Sequence, residues 1–120
     1  MTRLTDSEWK VLEVLWAGGE QTLGAVLAAL EPETGWSRTT VHTYLKRMMD
    51  KGLVCAREPA PRHYYAAVAR QDCVDHQRRD LVERAYHGSA GQLVAAFVKD
   101  GSLTPREREE LRRLLEDMEV

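Results

Sequence analysis

At 120 residues and a net charge of −2, the chain is one ordinary domain or two very small ones. A composition 43% hydrophobic and 30% charged is that of a folded soluble protein and excludes disorder. The longest apolar run is a few residues, too short to insert in a membrane, and no basic-then-apolar leader is present, so a cytoplasmic location is expected.

Thr5-Asp6-Ser7-Glu8 has the form of a capping box, with Thr5 the cap and Glu8 reaching back to it. Trp9, Leu12 and Trp16 follow on one face, with Val11 and Leu15 beside them, predicting a helix that runs to about Ala17 and stops at Gly18-Gly19. Two tryptophans there are core, since large aromatics bury much area in a small domain. Gln21-Thr22-Leu23 reads as a short extended piece before a second helix, about Gly24 to Leu30, whose apolar side is Val26, Leu27 and Leu30. Glu31 to Gly35 reads as a loop by composition.

Trp36 to Gly52 is the stretch around which the rest is organised. Ser37 is a good N-cap, Val41, Leu45 and Met48 recur at i, i+4, i+7 as one buried stripe, and Gly52 after Lys51 reads as a left-handed C-cap. Tyr44 lies at the edge of the stripe and is read as structural. Away from the stripe stand Arg38, Thr39, Thr40, His42, Thr43, Lys46 and Arg47. Arginine and lysine suit phosphate, and short hydroxyl and imidazole groups suit base edges and thymine methyls. A helix of ~15 residues is ~22 Å long, enough to lie in a major groove. Helix, short helix, turn, helix is the helix-turn-helix order, and the third helix is read as its DNA recognition helix.

Leu53 to Arg57 and His63 to Ala67 read as two strands around the turn Glu58-Pro59-Ala60-Pro61-Arg62. Such a hairpin just past a recognition helix is a wing, offering Arg57, Arg62 and His63 to the DNA backbone or minor groove. The charge distribution agrees. Residues 1–35 carry a net −4, whereas residues 36–68 hold six basic against two acidic side chains, a net +4. That local patch, rather than the total, sets attraction to phosphate.

Beyond Val68 the pattern is helical only. A helix is predicted from Asp72 to about Tyr86, ended by His87-Gly88, and another follows a Ser89 cap with Leu93, Val94, Phe97 and Val98 as its stripe. Thr104-Pro105-Arg106-Glu107 then opens a last helix with a threonine cap, proline at the first helical position and glutamate at the third. Its apolar positions are Leu111, Leu114, Leu115 and Met118, opposite a face of paired charges. Three short helices carry stripes with little bulk to bury them against, so a core shared between two chains is expected. Leu81, Ala85, Leu93, Val94, Phe97, Leu111, Leu114, Leu115 and Met118 would line it in a symmetric homodimer. The fold expected is mainly α with a small β-wing: a winged helix-turn-helix domain over residues 1–68 and a three-helix dimerisation region over residues 69–120.

An enzyme is not expected. The sequence holds no phosphate-cradling glycine loop, no HExxH and no nucleophile with an evident base. Cys55 and Cys73 form no CxC or CxxC pair. Cys73 and His76, with Asp72 and Asp75 nearby, share a helix face and leave a metal-responsive regulator as one alternative, although zinc wants about four ligands. No metal or cofactor is expected. The other alternative is a winged helix used for protein contacts, which would lack the steep salt dependence of a DNA reader.

Leu4-Thr5-Asp6-Ser7-Glu8-Trp9, Val14 to Trp16, Trp36-Ser37, Thr40-Val41, Thr43, Leu45, Arg47 and Lys51-Gly52 together resemble the penicillinase-repressor family (BlaI/MecI/CopY type). The likeness continues at Tyr64, Tyr86-His87-Gly88, Leu93-Val94 and Phe97, and so covers nearly the whole chain. The resemblance implies a dimeric winged-helix repressor on a palindromic double-stranded DNA operator, with the C-terminal helices as dimer interface. In antibiotic-responsive members a membrane sensor-protease acts indirectly, triggering a cut between Asn and Phe in the dimerisation helices. The matching bond here is Ala96–Phe97, with alanine in place of the asparagine. The paired CxC motifs of copper-responsive members are not in this sequence.

Overall fold

A computed structural model describes residues 3–118. These divide between Gln77 and Arg78 into two compact units. The first opens with α1 (Asp6–Gly18), where Thr5 and Glu8 close the expected capping box. β1 (Gln21–Thr22) leads directly into α2 (Leu23–Thr34), capped by Thr22 through the Ala25 amide. At the join, a side chain on Gly18 would push the end of the Gln21 side chain aside. A Cβ there would stand 2.4 Å from Gln21 Nε2, the group that donates to the Val14 and Gly19 carbonyls at the end of α1.

α2 corrects one expectation. Glu31 to Thr34 form its last turn rather than a loop, and Pro32 lies inside the helix. Proline disfavours this by removing an amide and crowding the preceding turn. Here the strain falls next to the helix end. Leu30 is buried, Thr34 Oγ1 donates to the Leu30 carbonyl at 2.8 Å, and Gly35 then turns left-handed with its amide on the Glu31 carbonyl.

α3 (Arg38–Asp50) follows after three residues, then β2 (Val54–Arg57) and β3 (His63–Ala66). The sheet is antiparallel in the order β1-β3-β2, with Gln21 opposite Tyr64 and Cys55 opposite Tyr65. The expected hairpin thus gains a third strand from the piece before α2. Val11, Leu12 and Leu15 of α1, Val26 and Leu30 of α2, Val41, Leu45 and Met48 of α3, and Leu53, Val54 and Tyr64 form one buried core. This is a winged helix-turn-helix.

α4 (Arg70–Ala85) begins within the first unit. Its opening turns are tied to α1. Trp9 Nε1 donates to Gln77 Oε1 and Trp16 Nε1 to the Val68 carbonyl, both at 2.9 Å, and Arg70 pairs with Glu13 at 3.2 Å. The two indoles meet edge to face with centroids 5.7 Å apart, a favourable aromatic geometry.

In the second unit α4 ends near Tyr86, α5 (Ala90–Asp100) is capped by Ser89, and α6 (Pro105–Asp117) opens on the complete Thr104–Glu107 capping box. Neither α5 nor α6 buries a residue fully. Their large apolar side chains stay open, from Val94 at 41% and Phe97 at 45% to Leu114 at 64% and Met118 at 79%.

Candidate nucleic-acid interface

α3 is fixed from three directions. Ser37 Oγ accepts the Thr40 amide at 3.2 Å and donates to Thr40 Oγ1 at 3.1 Å. Trp36 lies 4.8 Å from the Tyr44 ring at an interplanar angle of 30°, so Tyr44 packs as expected. At the far end the Gly52 amide donates to Met49 and the Leu53 amide to Met48, which satisfies carbonyls that a helix end leaves open.

Held this way, α3 buries Val41, Leu45 and Met48 and turns Arg38, Thr39, His42, Thr43, Lys46 and Arg47 to solvent. Thr40 departs from the group: it is half-buried and engaged with the Ser37 cap. The Thr43 hydroxyl donates to the Thr39 carbonyl at 2.9 Å. Its proton is therefore committed, while its methyl and an acceptor lone pair remain available. Among the described residues Arg38, Lys46 and Arg47 make no ion pair. Three uncompensated cations around a row of small polar groups are suited to a polyanion.

Between α3 and the wing is a cleft of about 350 Å³ lined by His42, Lys46, Met49, Asp50, Arg62 and Tyr64. The wing arginines differ from those of α3. Arg57 pairs with Glu20 through its Nε and sits 5.2 Å from the centre of the Tyr65 ring. Arg62 holds Glu58, with Nε at 2.8 Å and Nη2 at 2.7 Å from one carboxylate oxygen. Each pairing raises the guanidinium pKa, through the hydrogen bond that Arg57 donates to Glu20 and that Arg62 donates to Glu58. His63 is half-buried within the sheet, opposite Thr22 and Arg57, rather than at the wing tip.

Sequence reasoning missed the group that anchors this surface. Glu8 is buried, accepts the Thr5 amide at 2.9 Å and takes Lys51 Nζ at 2.7 Å on its other oxygen. Its capping motif was visible, but nothing local marks a partner 43 residues away. Cys73 is buried in the first unit. Burial, then the nearby Asp72 charge, pushes its thiol pKa up, away from the thiolate that binds metal. Among the described residues no group of three or more His, Cys, Asp or Glu gathers as a metal site, and no helix is long and apolar enough to cross a membrane.

The sequence pattern of the penicillinase repressors matches residues 4–117. The chain belongs to the penicillinase repressor family. Among its relatives is the methicillin resistance regulatory protein MecI of Staphylococcus aureus (strain N315), 25% identical over 93% of this chain and 92% of the relative. The penicillinase repressor of Bacillus licheniformis is 24% identical over 96% of this chain and 91% of its own length. Among solved structures, the monomeric form of Bacillus licheniformis BlaI in complex with the blaP half-operator has a similar fold. That match has a TM-score of 0.53 and 24% identity, and covers 59% of this chain and 88% of that one. Bordetella bronchiseptica BpsR, a DNA-binding protein regulated by 6-hydroxynicotinic acid, shares the fold at TM-score 0.51 and 21% identity over 98% of this chain and 81% of that one.

In this repressor family member the other expected residues fall in the second unit. Leu81, Ala85, Val94, Phe97, Leu114, Leu115 and Met118 are exposed, and Leu93 and Leu111 are half-buried. An apolar hollow of about 510 Å³ separates α4 from α5, lined by Arg78, Arg79, Val82, Glu83, Ala90, Leu93 and Val94. Ala96 is half-buried and Phe97 is exposed, both within α5.

Proposed function

We propose that this protein represses transcription by binding a palindromic DNA operator as a homodimer. The observation that carries the DNA reading is the outer side of α3. Arg38, Lys46 and Arg47 are exposed there without internal ion pairs, around Thr39, His42 and Thr43. In this reading Arg38, Lys46, Arg47 and Arg62 contact phosphate, and Thr39, His42 and Thr43 face the bases. Thr40 serves mainly to seat the helix, and Arg57 supports the wing.

Homodimerisation is supported by the open stripes of α5 and α6, where Phe97, Leu114, Leu115 and Met118 stand in solvent. A protomer that exposes several large apolar side chains gains by covering them, and a two-fold copy supplies the same residues to both sides. Release by a signal belongs to the same reading. A protease acting downstream of a membrane sensor would meet Ala96–Phe97 inside α5, and a cut there would divide the apolar stripe.

The test is selection of bound fragments from genomic DNA, beginning with the region upstream of the protein's own gene. A site with two-fold symmetry is expected, bound with an affinity that falls steeply as salt rises. Recovery of fragments with no common sequence, or binding insensitive to salt, would overturn the proposal.

A further inference from the structure

Resting on the DNA-binding reading, the geometry points to Glu58 as an internal competitor for DNA phosphate at Arg62. Arg62 lines the cleft with His42 and Lys46 of α3, so it is placed where a backbone strand flanking the recognition helix would pass. Its Nε and Nη2 are nonetheless both directed at Glu58. A guanidinium fork presents the same donor geometry to carboxylate and to phosphate. The two anions therefore exclude one another at those donors.

The pair is built to exchange rather than to lock. Glu58 and Arg62 stand at the two ends of a turn containing Pro59 and Pro61, whose rings fix two of its φ angles, so the pairing costs little ordering. Both side chains are open to water, 60% and 47% exposed, and an exposed pair is weak enough for another anion to displace. Arg57 makes a comparable pair with Glu20 beside the Tyr65 ring, but Arg62, which also has Tyr64 as a neighbour, is the wing arginine that lines the cleft beside α3. The α3 cations carry no such competitor among the described residues. Glu58 thus lowers the affinity of the wing for any duplex, leaving the first grip to α3 and completing the Arg62 contact only when the helix has docked.

The test uses the full chain and a fluorescently labelled random-sequence duplex at low salt. Glu58→Gln should tighten binding about two- to fivefold, the range an exposed ion pair spans. Arg62→Gln should weaken it, and adding Glu58→Gln to Arg62→Gln should bring no further gain, the coupling a double-mutant cycle reads. An unchanged affinity for Glu58→Gln overturns the inference. So does a gain that persists without Arg62, because Glu58 would then act only by repelling DNA at a distance. Failure of the unaltered protein to bind any duplex would instead remove the DNA reading itself, and the role of Glu58 with it.

Discussion

The Glu8 carboxylate and the Lys51 ammonium stand 2.7 Å apart, joining the first turn of α1 to the residue that closes α3. Glu8 is almost wholly buried and Lys51 is partly open. Burial works against ionisation of Glu8, but the hydrogen bonds from Lys51 and from Thr5 outweigh it and hold its pKa below the ordinary 4.5. A carboxyl depressed on folding adds stability above its unfolded pKa and loses it as pH falls through the folded one.

Lys51→Met should therefore cost about 1–3 kcal/mol at neutral pH in urea unfolding, since it leaves a buried carboxylate short of a partner. It should also shrink the loss of stability that the unaltered protein shows on acidification below pH 4.5. Identical stability curves for the two proteins would show that the pair contributes nothing.

Gly52 has φ +77 and carries the turn by which α3 passes into β2, with Leu53 and Met48 both in the core. A Cβ there meets no neighbour within 4 Å, so the cost of Gly52→Ala is conformational alone, about 1–2 kcal/mol. Urea unfolding should show a lower midpoint with an unchanged slope. Retained stability would mean that the cap is not strained by a side chain.

α3 was legible because three signals agreed over one short stretch: the Ser37 cap, the spacing of Val41, Leu45 and Met48, and the glycine after Lys51. The stripes of α5 and α6 were legible for the same reason, since helical period and caps are local. Three features were not. The helical turn through Pro32 runs against the local preference of proline in a segment whose composition reads as a loop. Gln21-Thr22 read as extended, but its place in the sheet did not, because β1 is only two residues long and joins by pairing with Tyr64 and His63. The Glu20–Arg57 and Glu8–Lys51 pairs join residues 37 and 43 positions apart, a separation over which sequence spacing says nothing. Glu58 and Arg62, four apart, could have been found from spacing, but they lie in a turn rather than on a helix.

Thr43 should read sequence rather than supply general affinity. Its hydroxyl proton is held by the Thr39 carbonyl, leaving a methyl and an acceptor to face the groove. Thr43→Ala should weaken the selected operator by ~1–3 kcal/mol while scarcely changing random DNA. Equal losses on both would remove Thr43 from base readout.

Lys46 should behave in the opposite way. It is exposed, lines the cleft and has no ion-pair partner among the described residues. Lys46→Ala should weaken every duplex alike and flatten the slope of log affinity against log salt by ~1. A slope that stays the same would count against a phosphate contact.

Leu114→Asp separates assembly from folding. Leu114 is 64% exposed within a single chain, so the substitution removes little from the protomer itself, whereas a carboxylate facing a second copy would have to be desolvated there. Two half-sites about 34 Å apart reward a dimer that engages both at once, and a monomer keeps only one. Light scattering should show monomers, operator affinity should fall steeply, and thermal unfolding of the winged-helix unit should be unchanged. A variant that remains dimeric would move the interface away from α6. One that is monomeric yet binds the operator undiminished would mean that paired half-sites do not set its affinity.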